Sequence, residues 1–310
     1  MPRIDYFVVD VFTQSALAGN PLAVVMNTCS LTTERMQAIA REFNLSETTF
    51  IERRDSAIEL TEGVRVRIFT TQEELNFAGH PTLGTASILR MAAPECVAPE
   101  AGTSGKVTLA LNVGAVPVRF SGEESYGEMT QHDPEFGAVL EAGQVARLIG
   151  LDTEDLEPSL SPQVVSTGTA FAIVVLRTDA ALARLQVNQS AATRWLRECG
   201  ARWFYVLGPV SQSQDGEESI WRARLQFYGG EDPATGSAAG CAISYLVHHG
   251  AVASGERTHL RQGAEIGRPS DLFLSAQLDH GDSRRDSSRV RDVRVGGSTV
   301  LVAKGQLFLP

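Results

Sequence analysis

Phe77-Ala78-Gly79-His80-Pro81-Thr82-Leu83-Gly84 and Glu231-Asp232-Pro233-Ala234-Thr235-Gly236-Ser237-Ala238-Ala239-Gly240 are the two stretches whose reading decides the fold. Each leads from a polar turn into a run that is small or apolar on most faces. Leu83, Ala86, Ile88 and Leu89 continue the first, and Ala239, Ala242, Ile243 and Leu246 the second. A helix that is apolar all round has to be buried. Internal helices are therefore expected from residue 79 to about 91 and from 236 to 249.

What precedes the two helices repeats in order. A strand (21–26), a helix (32–43), a strand (48–52) and an alternating strand (64–70) lead to Gly79. A strand (170–176), a helix (190–199), a strand (203–207) and an alternating strand (221–228) lead to Gly236. Strands dominate and one long helix closes each half, so a sheet wrapped round an apolar helix explains the pattern better than a parallel βαβ array. The expected fold class is α+β, in two similar domains with a site between them. Residues 121–127, 211–218 and 280–292 read as surface loops, the last carrying Arg284, Arg285, Asp286, Arg289, Arg291 and Asp292.

Of the 310 residues, 43% are hydrophobic and 21% charged, which suits large cores and exceeds the usual single-domain length. Asp and Glu number 37 against 27 Lys and Arg, a net charge of -10 with no basic block. That balance disfavours nucleic acid and anionic membrane as partners. No run approaches the ~18 apolar residues of a membrane span, and the N-terminus enters a strand pattern without a signal-peptide core. A soluble, cytoplasmic protein is expected. Cys29, Cys96, Cys199 and Cys241 form no CxxC pair, which argues against a disulfide framework or a zinc knuckle.

A helix N-terminus offers unpaired N–H groups to a carboxylate or phosphate, and glycine lets a ligand approach closely. Gly79 and Gly236 stand at such ends; alternatively they serve tight turns and packing. The Gly-Lys-Ser/Thr of a P-loop is missing, as is a dinucleotide fingerprint, and Ser237 has no nucleophile elbow around it, so it reads as a capping or substrate-bonding hydroxyl. Glu47, in Asn44-Leu45-Ser46-Glu47-Thr48-Thr49-Phe50-Ile51, lies between a helix and an apolar strand. Partial desolvation there raises a carboxyl pKa toward proton shuttling, while a capping or surface role stays open. His80 is a candidate acid-base group or hydrogen-bond donor, and Asp232 a candidate to orient substrate or relay a proton. His248 and His249 have no further ligands at metal spacing, so no metal is expected.

Ser46-Glu47-Thr48, the two glycine segments, and Gln262-Gly263 followed by Gly267-Arg268-Pro269-Ser270 together resemble the phenazine-biosynthesis PhzF-like family. The opening Asp10-Val11-Phe12-Thr13 with Gly19-Asn20-Pro21-Leu22-Ala23-Val24, and the closing Val295-Gly296-Gly297, agree with it. The resemblance implies the diaminopimelate-epimerase-like fold: two pseudo-symmetric domains, each a β-barrel-like sheet round a central helix. Residues 1–115 with about 294–310 would form one domain and 116–293 the other. It also implies a cofactor-free isomerase, a homodimer, acting on a small carboxylate-bearing substrate. Carried over, Glu47 transfers the proton, His80, Asp232 and Ser237 are active-site residues, and Gly79 and Gly236 give N–H groups to the substrate carboxylate.

Related epimerases and proline racemases use paired cysteines as opposed bases. This chain has Ala78 and Pro233-Ala234 in those places, and Cys241 lies further along its helix, facing the core. The expected function is therefore an isomerase that moves a proton near a carboxylate of a small cyclic or aromatic-type substrate by Glu47 acid-base catalysis. The alternatives are an amino-acid epimerase or racemase using Glu47 with Asp232 or His80, and a small-carboxylate binding protein without turnover.

Overall fold

A computed structural model describes residues 3–121, 125–210, 220–227, 230–279 and 289–309. The chain divides into two compact units, Met1–Thr130 with Gly296–Pro310, and Gln131–Val295.

In the first unit β1 (Arg3–Val11) pairs antiparallel with β2 (Asn20–Val25), and α1 (Thr33–Phe43) crosses to β3 (Glu47–Glu52), parallel to β2. After α2 (Ser56–Glu62), β4 (Val64–Phe69) runs antiparallel to β3, and the short β5 (Glu74–Leu75) folds back on β4. A second crossover, α3 (Gly79–Ala92), reaches β6 (Lys106–Leu111), parallel to β4. β7 (Gly114–Phe120) and β8 (Tyr126–Thr130) follow as a meander. α1 buries Met36, Ile39 and Ala40, at the i, i+3, i+4 spacing of one helix face, against Val25, Phe50 and Phe69. α3 touches β1, β2, β3, β6, β7 and β8 and is buried from Gly79 to Leu89 apart from Ser87. Each fully buried leucine there contributes ~1.5–3 kcal/mol.

The second unit contains β9 (Glu135–Val139), α4 (Ala142–Ile149), β10 (Gln163–Ser166), β11 (Ala170–Val175), α5 (Asp179–Ala183), α6 (Gln189–Glu198), β12 (Trp203–Pro209), β13 (Ile220–Arg224), β14 (Gln226–Phe227), β15 (Gly230–Glu231), α7 (Gly236–His248), β16 (Thr258–Gln262) and β17 (Ser270–Asp279). Its pairings repeat those of the first. β10 is antiparallel to β11, β11 parallel to β12 across α5 and α6, and β12 antiparallel to β13. β13 is parallel to β16 across α7, and β16 antiparallel to β17. The helix that crosses between the second parallel pair is again the buried one: α7 has Gly236 to Val247 inside and packs on β10, β11 and β17.

The last strand, β18 (Arg289–Phe308), joins both units in turn. Its residues 299–308 pair with β1, from Arg3↔Phe308 to Val11↔Thr299, and the strand also neighbours β8, closing an eight-stranded barrel in the first unit. The fold is thus α+β, with the epimerase-like plan of a sheet round a central helix.

Three details differ from the sequence reading. The chain leaves the first unit at 130/131, after β8, rather than at 115/116, because Val116, Val118, Phe120 and Met129 of the meander are buried there. Strand 221–228 breaks at Leu225, whose carbonyl accepts from Asp232 N; residues 228 and 229 lie outside the described residues. Of the expected loops, Tyr126 and Gly127 open β8, and residues 289–292 belong to β18, where Val290 is buried between the exposed Arg289 and Arg291. Residues 122–124, 211–219 and 280–288 lie outside the described residues.

Candidate active site

In the first unit the parallel register Leu22↔Glu47 puts the beginnings of β2 and β3 at one end of the barrel. Asn20 begins β2, and Glu47 begins β3 just after Asn44, whose left-handed backbone (φ 51°) ends α1. α3 starts at Gly79, after the extended Ala78, and His80 lies in its first turn. The fold brings Glu47 and His80 together across the sequence: Nε2 of His80 lies 3.3 Å from Oε2 of Glu47. His80 is only 3% exposed and the Glu47 side chain 15%.

Asn20 Nδ2 lies 3.1 Å from His80 Nδ1. With the Asn20 amide donating, Nδ1 accepts and the neutral ring carries its proton on Nε2, the nitrogen beside Glu47. Burial pushes the His80 pKa down to about 3. The ring is therefore a neutral N–H donor near pH 7. No hydrogen bond within the described residues uses that Nε2.

In the second unit Asp232, Gly236 and Ser237 gather at one turn, all buried. Thr235, the residue before α7, donates its hydroxyl proton to Asp232 Oδ2 at 2.6 Å. That use diverts it from the capping role a threonine usually takes at this position. α1, α2, α4, α5 and α6 each have a side-chain N-cap, whereas α3 and α7 have none. The two helices that begin at Gly79 and Gly236 thus start without a side-chain cap from the residue before them, and a helix N-terminus of that kind suits an anionic group.

Residues without a role in the sequence reading complete both places. Asn20 is one, its function hidden by a separation of 60 residues from His80. Gln131 is another: Nε2 donates to the Gly236 carbonyl at 2.8 Å and Oε1 accepts from Thr167 at 2.6 Å. Gln262 is the third, bound to the Asp232 turn by Nε2 to Asp232 O at 2.8 Å. Cys241 lies in the core, 3.5 Å from Thr167 Oγ1, and burial pushes its thiol up to about 12, so it is no base near neutral pH. Among the described residues no group of three or more His, Cys, Asp or Glu side chains is placed to hold a metal ion, and no helix is long and apolar enough to cross a membrane.

The sequence pattern of the phenazine biosynthesis-like protein family, PhzC-PhzF, matches residues 9–305. An uncharacterized isomerase of Mesorhizobium japonicum is 32% identical over 335 residues, covering 100% of both chains. Trans-2,3-dihydro-3-hydroxyanthranilate isomerase of Pseudomonas aeruginosa is 32% identical over 311 residues, covering 98% of this chain and 99% of the relative. Among solved structures, a predicted epimerase from Pseudomonas aeruginosa is 34% identical with a TM-score of 0.79, covering 99% of this chain and 100% of that one. With sequence and fold matched along almost the whole chain, the protein is an isomerase that belongs to the phenazine biosynthesis-like PhzC-PhzF family.

Proposed function

We propose that the protein moves a proton between carbons of a small cyclic or aromatic-type carboxylate, with Glu47 as general acid and base and without a cofactor. The observation that carries this reading is the Glu47–His80 pair at 3.3 Å: a largely buried carboxylate beside a neutral ring N–H. A carboxylate of that kind removes a proton from carbon and returns it, and His80 Nε2–H, close beside it, is placed to steady the charge that develops. The first-turn N–H groups at Gly79 in the first unit, and those at Gly236 and Ser237 in the second, each suit a carboxylate oxygen of the substrate. Asp232, held by Thr235, accepts a hydrogen bond from the substrate. Because the His80 ring carries its proton on the Glu47 side, it does not serve as an opposed second base, which favours isomerisation over racemisation. The working state in this reading is a cytoplasmic homodimer.

The test is Glu47→Gln, assayed first on trans-2,3-dihydro-3-hydroxyanthranilate, the compound named for one relative, and then on a panel of small carboxylates in D2O by NMR. Turnover is expected to fall ~10²–10⁴-fold while the circular dichroism spectrum stays native. An active Glu47→Gln protein removes Glu47 from the mechanism. Deuterium entering the α-carbon of both enantiomers of an amino acid would identify a racemase. Tight binding without any exchange would identify a binding protein.

A further inference from the structure

The stretch from Gln262 to Ser270 carries part of the family resemblance, yet the proton transfer proposed above makes no use of it. In the structure it cradles the Asp232 turn. Gln262, the last residue of β16, is 2% exposed, and its amide makes four hydrogen bonds, the full capacity of that group. Oε1 accepts from Thr235 N at 3.1 Å and from the Tyr205 hydroxyl at 2.9 Å. Nε2 donates to Asp232 O at 2.8 Å and to Thr235 Oγ1 at 3.0 Å. Gly263, at φ +80°, lets the next peptide lie on Pro233: a Cβ there would stand 2.6 Å from the Pro233 carbonyl oxygen.

The directions of these bonds are forced. A backbone N–H only donates, so the Gln262 atom facing Thr235 N is the oxygen, and Nε2 faces Thr235 Oγ1. The Thr235 hydroxyl, accepting from Nε2, then has its single proton for Asp232 Oδ2. Two charged or titratable neighbours have partners of their own. Tyr205, on β12, has its pKa pushed well above the ordinary value by burial and further by the charge of Asp232, and so stays a donor. Glu231, next to Asp232, is held by Arg224 of β13 through two contacts, Nε to Oε1 at 2.9 Å and Nη2 to Oε2 at 2.6 Å.

We propose that Gln262 is a positioning residue which, through the Thr235 hydroxyl, holds Asp232 as a carboxylate with one oxygen fixed before substrate binds. The inference rests on Asp232 belonging to the substrate site. Its chemical content is that a carboxylate stripped of a hydrogen-bond donor takes up a proton more readily.

The experiment labels aspartate carboxyl carbons with ¹³C in the full-length protein and follows Asp232 by NMR titration without substrate, its signal assigned by its loss in Asp232→Asn. Gln262→Met keeps the volume and removes the four bonds, Thr235→Val removes the hydroxyl, and Thr235→Ser keeps it. Asp232 is expected to titrate about 0.5–1 pH unit higher in Gln262→Met and in Thr235→Val, and as in the native chain in Thr235→Ser. In the double variant the shift is expected to equal that of Thr235→Val alone, because Gln262 acts through Thr235. An unmoved Asp232 in either single variant, or shifts that add in the double one, overturns the proposal. Should Gln262→Met fail to fold, Tyr205→Phe removes one of the four bonds; a smaller upward shift supports the proposal and none overturns it. The titration involves neither turnover nor Glu47, so an active Glu47→Gln protein would refute the proposed function and leave this result to be read separately.

Discussion

At the start of α3 the buried His80 has Nδ1 bonded to Asn20, while its Nε2, 3.3 Å from Glu47 Oε2, makes no hydrogen bond among the described residues, whereas at the start of α7 all four bonds of the Gln262 amide are in use. The repeated fold gives both places the same frame, a crossover helix beginning without a side-chain cap. What differs is one side chain in each: His80 leaves Nε2 without a hydrogen bond, and the Gln262 amide leaves nothing unused. A saturated amide holds its neighbours in one arrangement; a ring N–H that makes no hydrogen bond is left to answer a group that arrives beside it. In the function proposed above, the contrast suits chemistry at the Glu47 end and orientation at the Asp232 end.

The contrast breaks most visibly in the helices themselves. Gly84 in α3 and Gly240 in α7 both lie one turn beyond the helix start and both are approached closely. A Cβ on Gly84 would meet Leu22 Cδ2 at 2.7 Å and Val11 Cγ2 at 2.8 Å, the ends of side chains that can turn aside. A Cβ on Gly240 would strike the Gln131 amide, which is held between Gly236 and Thr167. Gly240→Ala should therefore cost about 4 kcal/mol, overpacking plus buried polar groups left without partners. Gly84→Ala should cost about 1 kcal/mol, since overpacking is partly offset by alanine's better helix propensity. Chemical denaturation of both variants measures the difference, and equal losses would mean that the α7 end is no more rigid than the α3 end.

Much of this was open to reading from the chain alone, for a physical reason that also marks the limit. The starts of α3 and α7 are legible because glycine, a hydroxyl and a run apolar on every face coincide within ten residues. Glu47, His80 and Asp232 are legible as candidates because they sit at junctions between a polar turn and a buried element. Contacts across the sequence carry no such local cue. Asn20 meets His80 across 60 residues and Tyr205 meets Gln262 across 57, and a lone Asn or Gln does not announce its partner. The barrel is closed by β1 and β18 from opposite ends of the chain, a pairing implied by the family resemblance and not by the periodicity of either strand.

A smaller effect is expected from Asn20. Replacing the Asn20 amide by a carboxylate, Asn20→Asp, makes an acceptor face Nδ1, so the ring proton moves there and Nε2 turns a lone pair toward Glu47. Turnover should fall about 10²-fold, near 2.7 kcal/mol of barrier, with native circular dichroism. ¹⁵N NMR of the ring should show the change of tautomer directly. An Asn20→Asp protein with native turnover and the Nε2–H tautomer would leave the two helix starts with no difference in proton placement.

The smallest expected effect is a slope of stability with pH, and its sign follows from the burial of His80. An unfolded histidine titrates near 6.5, and the folded His80 only near 3. Between those values the unfolded chain binds the extra proton, so acid favours unfolding; the stability linked to the neutral ring is complete above about pH 6.5 and is lost as pH falls toward 3. Between pH 6 and 5 the native chain should lose about 1 kcal/mol that His80→Gln does not lose. Glu59 and Glu74 have pKa values lowered below the ordinary carboxylate value, the latter by its Arg67 partner and the former by Arg53 against its own burial, so they titrate below this window. His249, lowered by burial and then by the charge of His248, contributes equally to both proteins and cancels. Ser237 occupies the equivalent place in α7 and has no proton to exchange in this range, so Ser237→Ala should keep the native slope. Parallel curves for the native protein and His80→Gln would mean that His80 takes up its proton as an ion pair with Glu47 while still folded, and the α3 start would then hold a fixed charge, as is proposed for the α7 start.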